Sequence, residues 1–476
     1  MLFSSLEFLT IFFPVTFGIY FVIPKAWKNA WLLLASLIFY AWGEPSYVLI
    51  MIASILFNYA MARLIAKQPS GQKRAKVLLA LDVVVNLGVL FVFKYLGFAI
   101  NTLHSLLPFT KALLPSVSIA LPIGISFFTF QAMSYVVDVY RGTPVQKNLA
   151  SLGLYISLFP QLIAGPIVRY TTVMDEINSR KVTWEGFSHG CMRFLLGFNK
   201  KILLSNTFSE ISEAAFAMTS PSVGMAWLGA IGYTLHIYYD FSAYSDMAIG
   251  LGEMLGFHFL ENFNYPYISK TITEFWRRWH ISLGSWFRDY VYFPMGGSRV
   301  KTKRRLVLNL MVVWMLTGIW HGANWTFIVW GLINGVIIVI EKLTNLPKKL
   351  ETFKLPARIP FHILTMLIII IGWVFFNSSG IDTAAAYVAS MFGLHGAALT
   401  DATFVFDLHE YRFILILGIL FSMPVIPFLK EKLTGKRPKA AAVATGLFDA
   451  AQIALFLVSV SCLVMNAHNP FIYFNF

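Results

Sequence analysis

The chain has 476 residues, 57% of them hydrophobic and only 13% charged, with a mean hydropathy of +0.68. Soluble domains carry roughly twice that charge, so a water-soluble globule is excluded. The net charge of +14, from 37 Lys and Arg against 23 Asp and Glu, lies in discrete patches and forms no nucleic-acid-binding arm. Such patches fit the loop asymmetry that orients membrane helices. Cys191 and Cys462 are too few for a disulfide scaffold or a thiolate metal site.

Apolar runs long enough to cross a bilayer of about 30 Å recur from end to end, which predicts an all-α polytopic membrane protein. Residues 1–476 read as one integral membrane domain. The chain is apolar from Phe8 without a positive leader or a small-residue cleavage site, so residues 7–23 read as a retained span and not a signal peptide. A short run, 31–42, stops at Gly43-Glu-Pro-Ser46, and 47–66 spans again into Lys67, Lys73, Arg74 and Lys76. That basic loop places the N-terminus outside. Residues 77–95 return, carrying Asp82 and Lys94.

Residues 114–140 are broken at Pro122-Ile-Gly124, and 152–168 at Phe159-Pro-Gln161 and Gly165-Pro166. Irregular backbone at membrane depth needs protein or a water cavity to satisfy it, so both breaks point to a cavity-lining core. Residues 176–187 read as surface and 192–208, with Arg193, Lys200 and Lys201, as interfacial. Residues 223–239 form a span expected to end in a hydroxyl-rich cluster between Asp240 and Asp246. Further spans fall at 306–320, 325–340, 361–376, 411–428 and 442–464, separated by basic loops at 342–358 and 430–439. The uncharged tail, 466–476, is expected outside, and the whole gives about ten or eleven spans.

Residues 271–325 gather two histidines, six tryptophans and the cations Arg299, Lys301, Lys303, Arg304 and Arg305. Thr271-x-x-Glu274 is a capping box and predicts a helix start. On that helix Ile272, Phe275, Trp276, Trp279, Leu283 and Phe287 share one face, with His280 at its edge and Arg277, Arg278 and Arg288 away from it. The spacing fits an interfacial anchoring helix as well as a functional one. His321 follows an uninterrupted span, and with helix continuing there Thr317 and Trp325 sit one turn to either side. A neutral histidine at membrane depth is a candidate general base, or else a hydrogen-bonding link between helices. Asp240 and Asp246 can orient a base, bind a cation or mark a helix end. No histidine spacing supports a metal site. The basic residues suit the polyphosphate end of a coenzyme A thioester, and equally suit positive-inside anchoring.

Glu274-Phe-Trp-Arg-Arg-Trp-His-Ile-Ser-Leu283, Trp286-Phe-Arg-Asp-Tyr290, Gly296-Gly297 and Leu316-Thr-Gly-Ile-Trp-His-Gly-Ala-Asn-Trp325 together closely resemble the membrane-bound O-acyltransferases (MBOAT). The bacterial branch concerned is typified by the alginate O-acetylation membrane subunit and the peptidoglycan O-acetylation membrane protein. The likeness extends through Phe39-Tyr-Ala-Trp-Gly-Glu-Pro45, Gln131-Ala-Met-Ser-Tyr135 and Pro160-Gln-Leu-Ile-Ala-Gly-Pro166. Its motif core is 120–340, whereas helices across 361–464 match only in hydropathy. His236 and Ala243 depart from residues common in close relatives.

The resemblance implies a ring of helices around a thin core, with re-entrant helices and a tunnel entered from both faces. It implies a cytoplasmic acyl thioester donor, acetyl-CoA, with no bound cofactor. His321 would be general base or acyl relay and His280 the second histidine. Trp276, Arg277 and Arg278 would line or support the donor channel, joined as substrate-binding residues by Trp279, Arg288, Trp320, Asn324, Asp240 and Tyr244. The acetyl group would pass to a separate extracytoplasmic Ser-hydrolase-like (SGNH) transferase acting on an alginate-like polysaccharide, cellulose or peptidoglycan. That places the protein in the bacterial cytoplasmic membrane, in contact with lipid, with both termini extracytoplasmic. D-alanyl transfer to teichoic acid is the alternative within the family. A channel or polysaccharide transporter is the alternative outside it, against which the lack of internal repeats counts.

Overall fold

The computed structural model describes residues 1–69, 71–436, 438–465 and 468–472, and among them every regular element is a helix. Side chains at 430 and 433–439, within the third expected basic loop, and residues 473–476 of the tail lie outside the described set. The chain packs as two compact units, Met1–Phe194 with Met247–Leu260, and Leu195–Asp246 with Glu261–Phe476.

Unit 1 is built from α1 Phe13–Val22, α2 Lys28–Gly43, α3 Val48–Ala66, α4 Lys73–Leu90, α5 Leu96–Leu106, α6 Ile125–Tyr140, α7 Leu149–Ser157, α8 Phe159–Leu162 and α9 Tyr170–Ser179, with the start of α10 Trp184–Asn199. Phe3, Phe8, Phe12, Phe39 and Phe159 interlock with ring centroids 5.1–6.4 Å apart. Asn58 and Asn86 exchange carboxamide hydrogen bonds at 3.1 Å, tying α3 to α4. Both expected breaks are present. Gly124 has φ +73° and caps α6, and a Cβ there would lie 2.8 Å from the Leu162 carbonyl oxygen. Leu158 separates α7 from the single turn α8.

Unit 2 carries the rest: α11 Asn206–Phe216, α12 Val223–Met254 (which ends in unit 1), α13 Ile272–Arg278, α14 Ile281–Phe287, α15 Lys303–His321, α16 Trp325–Thr344, α17 Leu346–Glu351, α18 Leu355–Asn377, α19 Ile381–Met391, α20 Ala402–Phe421, α21 Val425–Lys436 and α22 Pro438–Met465. Five helical stretches among the described residues are long and apolar enough to cross a membrane unaided: Val48–Ala66, Lys73–Leu106, Trp325–Thr344, Leu355–Asn377 and Ala440–Met465. The protein is an all-α, multi-pass membrane protein. The other segments expected to span are shorter, broken or rich in buried polar groups.

Three local expectations are corrected. Helix α12 does not stop at Asp240 but runs 32 residues through Asp246. Lys201 and Lys200 neutralise those carboxylates, at 2.6 and 2.7 Å, so the helix has no need to end there. Lys201, read as a cation of an interfacial segment 192–208, is instead 2% exposed, in a π-helical turn, Lys200–Ser205. The helix beginning after Thr271 is not continuous. It breaks at Trp279-His280 into α13 and α14, seven residues each.

Candidate active site

The capping box forms as expected: Thr271 Oγ1 accepts the Glu274 N–H at 3.0 Å. The Glu274 carboxylate accepts the Lys270 N–H at 3.0 Å and pairs with Arg278 at 3.0 Å. A second carboxylate joins it from α16. Glu341, buried, accepts the N–H groups of Ile272 and Thr273 at 2.7 and 2.8 Å, where the helix dipole favours negative charge.

At the end of α13 the chain turns sharply. His280 has φ +45° and ψ +53°, a left-handed conformation that costs a non-glycine residue about 1 kcal/mol or more. The turn delivers a buried imidazole edge-on to Phe241 (centroids 4.6 Å apart) and 6.0 Å from Trp320. Its Nδ1 lies 3.3 Å from Asn262 Oδ1, while its Nε2 is buried without a hydrogen-bond partner among the described residues. Helices α13 and α14 are too short to cross a membrane. Burial first, and then the neighbouring His321, hold the His280 imidazole well below its ordinary range, so it is neutral at pH 7.

His321 is the last residue of α15. The helix starts on a Thr302 cap, and Asn309 Nδ2 ties it to the Met295 and Gly297 carbonyls at 3.2 and 3.1 Å. It ends because Gly322 is extended against Phe327, whose ring a Cβ at that position would strike at 2.2 Å. Helix therefore does not continue through His321, and Trp325 instead opens α16. The His321 ring packs on Trp320, Trp330 and Phe376 with centroids 5.0, 5.1 and 5.2 Å away. Thr317 donates its hydroxyl to Val313 of its own helix, at 2.8 Å. Both histidines thus border Trp320, in an aromatic wall completed by Trp276, Trp314 and Trp373.

Close helix crossing sets this arrangement. Gly331 and Gly335 of α16 form a small-xxx-small stripe against α15. A Cβ at Gly331 would stand 2.5 Å from the Trp314 carbonyl oxygen, and one at Gly318 2.5 Å from that of Phe327.

The sequence model of the membrane-bound O-acyltransferase family matches residues 147–380, which include both histidines. A probable alginate O-acetylase of Azotobacter vinelandii is 39% identical over the full length of both chains. This chain belongs to the membrane-bound O-acyltransferase family. A peptidoglycan O-acetyltransferase of Helicobacter pylori is 33% identical over 84% of this chain and 81% of its own. A teichoic acid D-alanyltransferase of Bacillus subtilis is 31% identical, but over 50% of this chain and 66% of its own.

Within this MBOAT chain the other expected site residues separate into groups. Trp276 lies in the aromatic wall and donates its indole N–H to Asn334 Oδ1 at 2.9 Å. Trp279 is core, packed on Trp373 and Phe263 at 5.0 Å. Arg277 is exposed, and Arg278 is spent on Glu274 and on the Asn264 carbonyl at 3.1 Å. Arg288 is exposed and pairs with its neighbour Asp289 at 2.9 Å. Asn324 caps α16 through the Thr326 N–H at 3.1 Å and reaches the Ser379 carbonyl at 2.8 Å.

Asp240 and Tyr244 meet the C-terminal segment. Asp240, fully buried, holds Lys201, the Ser205 hydroxyl at 3.3 Å and the Ile472 N–H at 2.8 Å. Lys201 also donates to the Pro470 carbonyl, and the Tyr244 ring packs 5.0 Å from Phe471. The described part of the tail, 468–472, is therefore tied into the core of unit 2. Sequence reasoning missed Glu341, Asn262 and this docking. Asn262 carried no signal beyond being a polar residue shortly before Pro266.

Proposed function

We propose that this chain transfers an acetyl group from acetyl-CoA on the cytoplasmic side, for O-acetylation of an extracellular polysaccharide by a separate extracytoplasmic transferase. The setting is the bacterial cytoplasmic membrane, with both termini outside. Full-length likeness to a probable alginate O-acetylase and extensive likeness to a peptidoglycan O-acetyltransferase support acetyl as the group moved. The D-alanyltransferase likeness reaches only half the chain.

The observation that carries the chemistry is the pair of buried imidazoles on either side of Trp320. Acyl transfer from a thioester needs a base for the acceptor hydroxyl and somewhere for its proton to go. A neutral imidazole takes that proton as the new C–O bond forms and the C–S bond breaks, and the proton leaves with the departing thiol. The aromatic wall keeps water from the thioester. The exposed cations, Arg277 among them, suit the nucleotide end of the donor.

The test is transfer of radiolabel from acetyl-CoA by purified protein in proteoliposomes, comparing the native chain with His321→Ala and His280→Ala. Each variant should lose transfer by about 10²-fold or more while keeping its thermal transition. A His321→Ala protein that transfers label at the native rate would refute the assignment. Native protein that ignores acetyl-CoA but consumes another acyl thioester would change the donor.

A further inference from the structure

Asn262 lies in the loop between α12 and α13, wholly buried, with its backbone carbonyl and both polar atoms of its side chain hydrogen-bonded. Its backbone carbonyl accepts the Ile281 N–H at 3.0 Å. Its side-chain Oδ1 accepts the Ser282 N–H at 3.1 Å and the Ser282 hydroxyl at 2.9 Å, and its Nδ2 donates to Ser245 Oγ at 3.2 Å. These bonds cap α14, whose N-cap is the left-handed His280. They also fix which way the amide points. The Ser282 N–H can only donate, so the atom beside it must be the carbonyl oxygen.

His280 Nδ1 lies 3.3 Å from that same oxygen. A carbonyl oxygen accepts and never donates, so the contact is a bond only when Nδ1 carries the hydrogen. One rival exists: the Ser282 hydroxyl is 3.4 Å from Nδ1 and would favour the other tautomer by donating to it. That hydroxyl has a single hydrogen and stands 2.9 Å from Asn262 Oδ1, the better acceptor by half an ångström. With Nδ1 protonated, the neutral ring leaves Nε2 bare, and Nε2 is the atom that is buried without a partner among the described residues.

We propose that Asn262 is the positioning residue that locks His280 in the Nδ1–H tautomer, keeping its Nε2 lone pair bare as a hydrogen-bond acceptor beside Trp320. This rests on the acyl-transfer reading above and gives His280 its part within it. The neutral ring accepts a hydrogen bond at Nε2, and protonation there removes that acceptor. Asn262 Oδ1, already aimed at Nδ1–H, holds the ring in that tautomer. Asn262 touches no reacting atom.

The experiment uses the full-length protein with Asn262→Leu and Asn262→Asp. The first readout needs no substrate. In ¹⁵N-histidine-labelled protein in proteoliposomes, solid-state NMR distinguishes protonated from bare ring nitrogens, and His280→Gln identifies the His280 signals by difference. Native protein should show His280 with Nδ1 protonated and Nε2 bare, and Asn262→Leu should show a mixture of tautomers. The second readout is the pH profile of acetyl transfer. Asn262→Leu should lower kcat about 10²-fold with little change in KM. Asn262→Asp places a carboxylate against the same ring nitrogen. It should restore activity at high pH and move the acid limb of the profile up by about one unit or more. A native His280 with Nε2 protonated overturns the proposal. So does an acid limb that Asn262→Asp leaves in place, which is the result a purely structural role would give. Correct NMR tautomers in a protein that does not use acetyl-CoA would sink the acyl-transfer reading and leave the tautomer lock standing.

Discussion

Replacing Gly331 with alanine tests how far the reacting geometry depends on one helix crossing. The new Cβ would sit 2.5 Å from the Trp314 carbonyl oxygen and 3.0 Å from Gly318 Cα, where ordinary contact starts near 3.4 Å. Both neighbours are backbone, so no side-chain rotation relieves the clash. Helix α15 must move away from α16 by most of the missing 0.9 Å. Overpacking of this kind costs about 1–3 kcal/mol. The displaced helix is the one that ends in His321, whose ring is set by Trp330 of α16 at 5.1 Å. An ångström of misplacement at a reacting group costs on the order of 10²-fold in rate. Thermal unfolding and acetyl transfer, measured on the same preparations, should show a modest loss of stability and a much larger loss of kcat. Gly335→Ala is the graded control. Its Cβ would meet the Trp314 Cβ at 2.9 Å and the flexible Met311 Sδ at 3.3 Å, so both losses should be smaller. If Gly331→Ala keeps native stability and rate, the α15–α16 seam does not position His321.

Two further outcomes follow from buried and capping charge. Asp240→Asn strips Lys201 of its counter-ion where both groups are almost wholly buried, and thermal unfolding should report a loss of about 3–5 kcal/mol. Lys201→Met combined with Asp240→Leu removes both charges and should cost less than the single change; an equal or larger loss would show that the pairing is not what matters. At the start of α20, Asp401 accepts the Phe404 N–H at 2.7 Å, and that bond holds its carboxyl below the usual range. Its contribution is therefore complete above the ordinary carboxylate pKa of about 3.9 and lost as pH falls through the lowered value. Asp401→Ala should cost about 1 kcal/mol at pH 7, and the gap from native should close in strong acid. A gap constant across that range would exclude the cap.

The helical class, the two broken segments, the Thr271 capping box and both motif histidines were legible in the chain because each is a local pattern. What stayed hidden is held together over long sequence separations. The aromatic stripe from Ile272 to Phe287 reads as one helix, and nothing local announces the left-handed turn at His280, which Asn262 stabilises from 18 residues away. Asp240 and Asp246 read as the end of a span because isolated carboxylates disfavour membrane helices. Their lysines lie 39 and 46 residues earlier, and only the π-helical turn brings them round. Arg278 and Asn324 carry motif residue types, yet they serve helix ends. Spacing cannot separate those uses from ligand binding.

The anchoring of Ile472 by Asp240 also bears on how unit 2 closes during synthesis. The two residues stand 232 positions apart, so at ordinary translation rates roughly ten to forty-five seconds pass between them. Through that interval Asp240 has Lys201 but not the tail's N–H, and Lys201 lacks the Pro470 carbonyl. Unit 2 is thus closed by a segment synthesised 232 residues after Asp240. The tail is gripped at these two points through its main chain, and the buried side chains of Phe471 and Ile472 add packing to that closure.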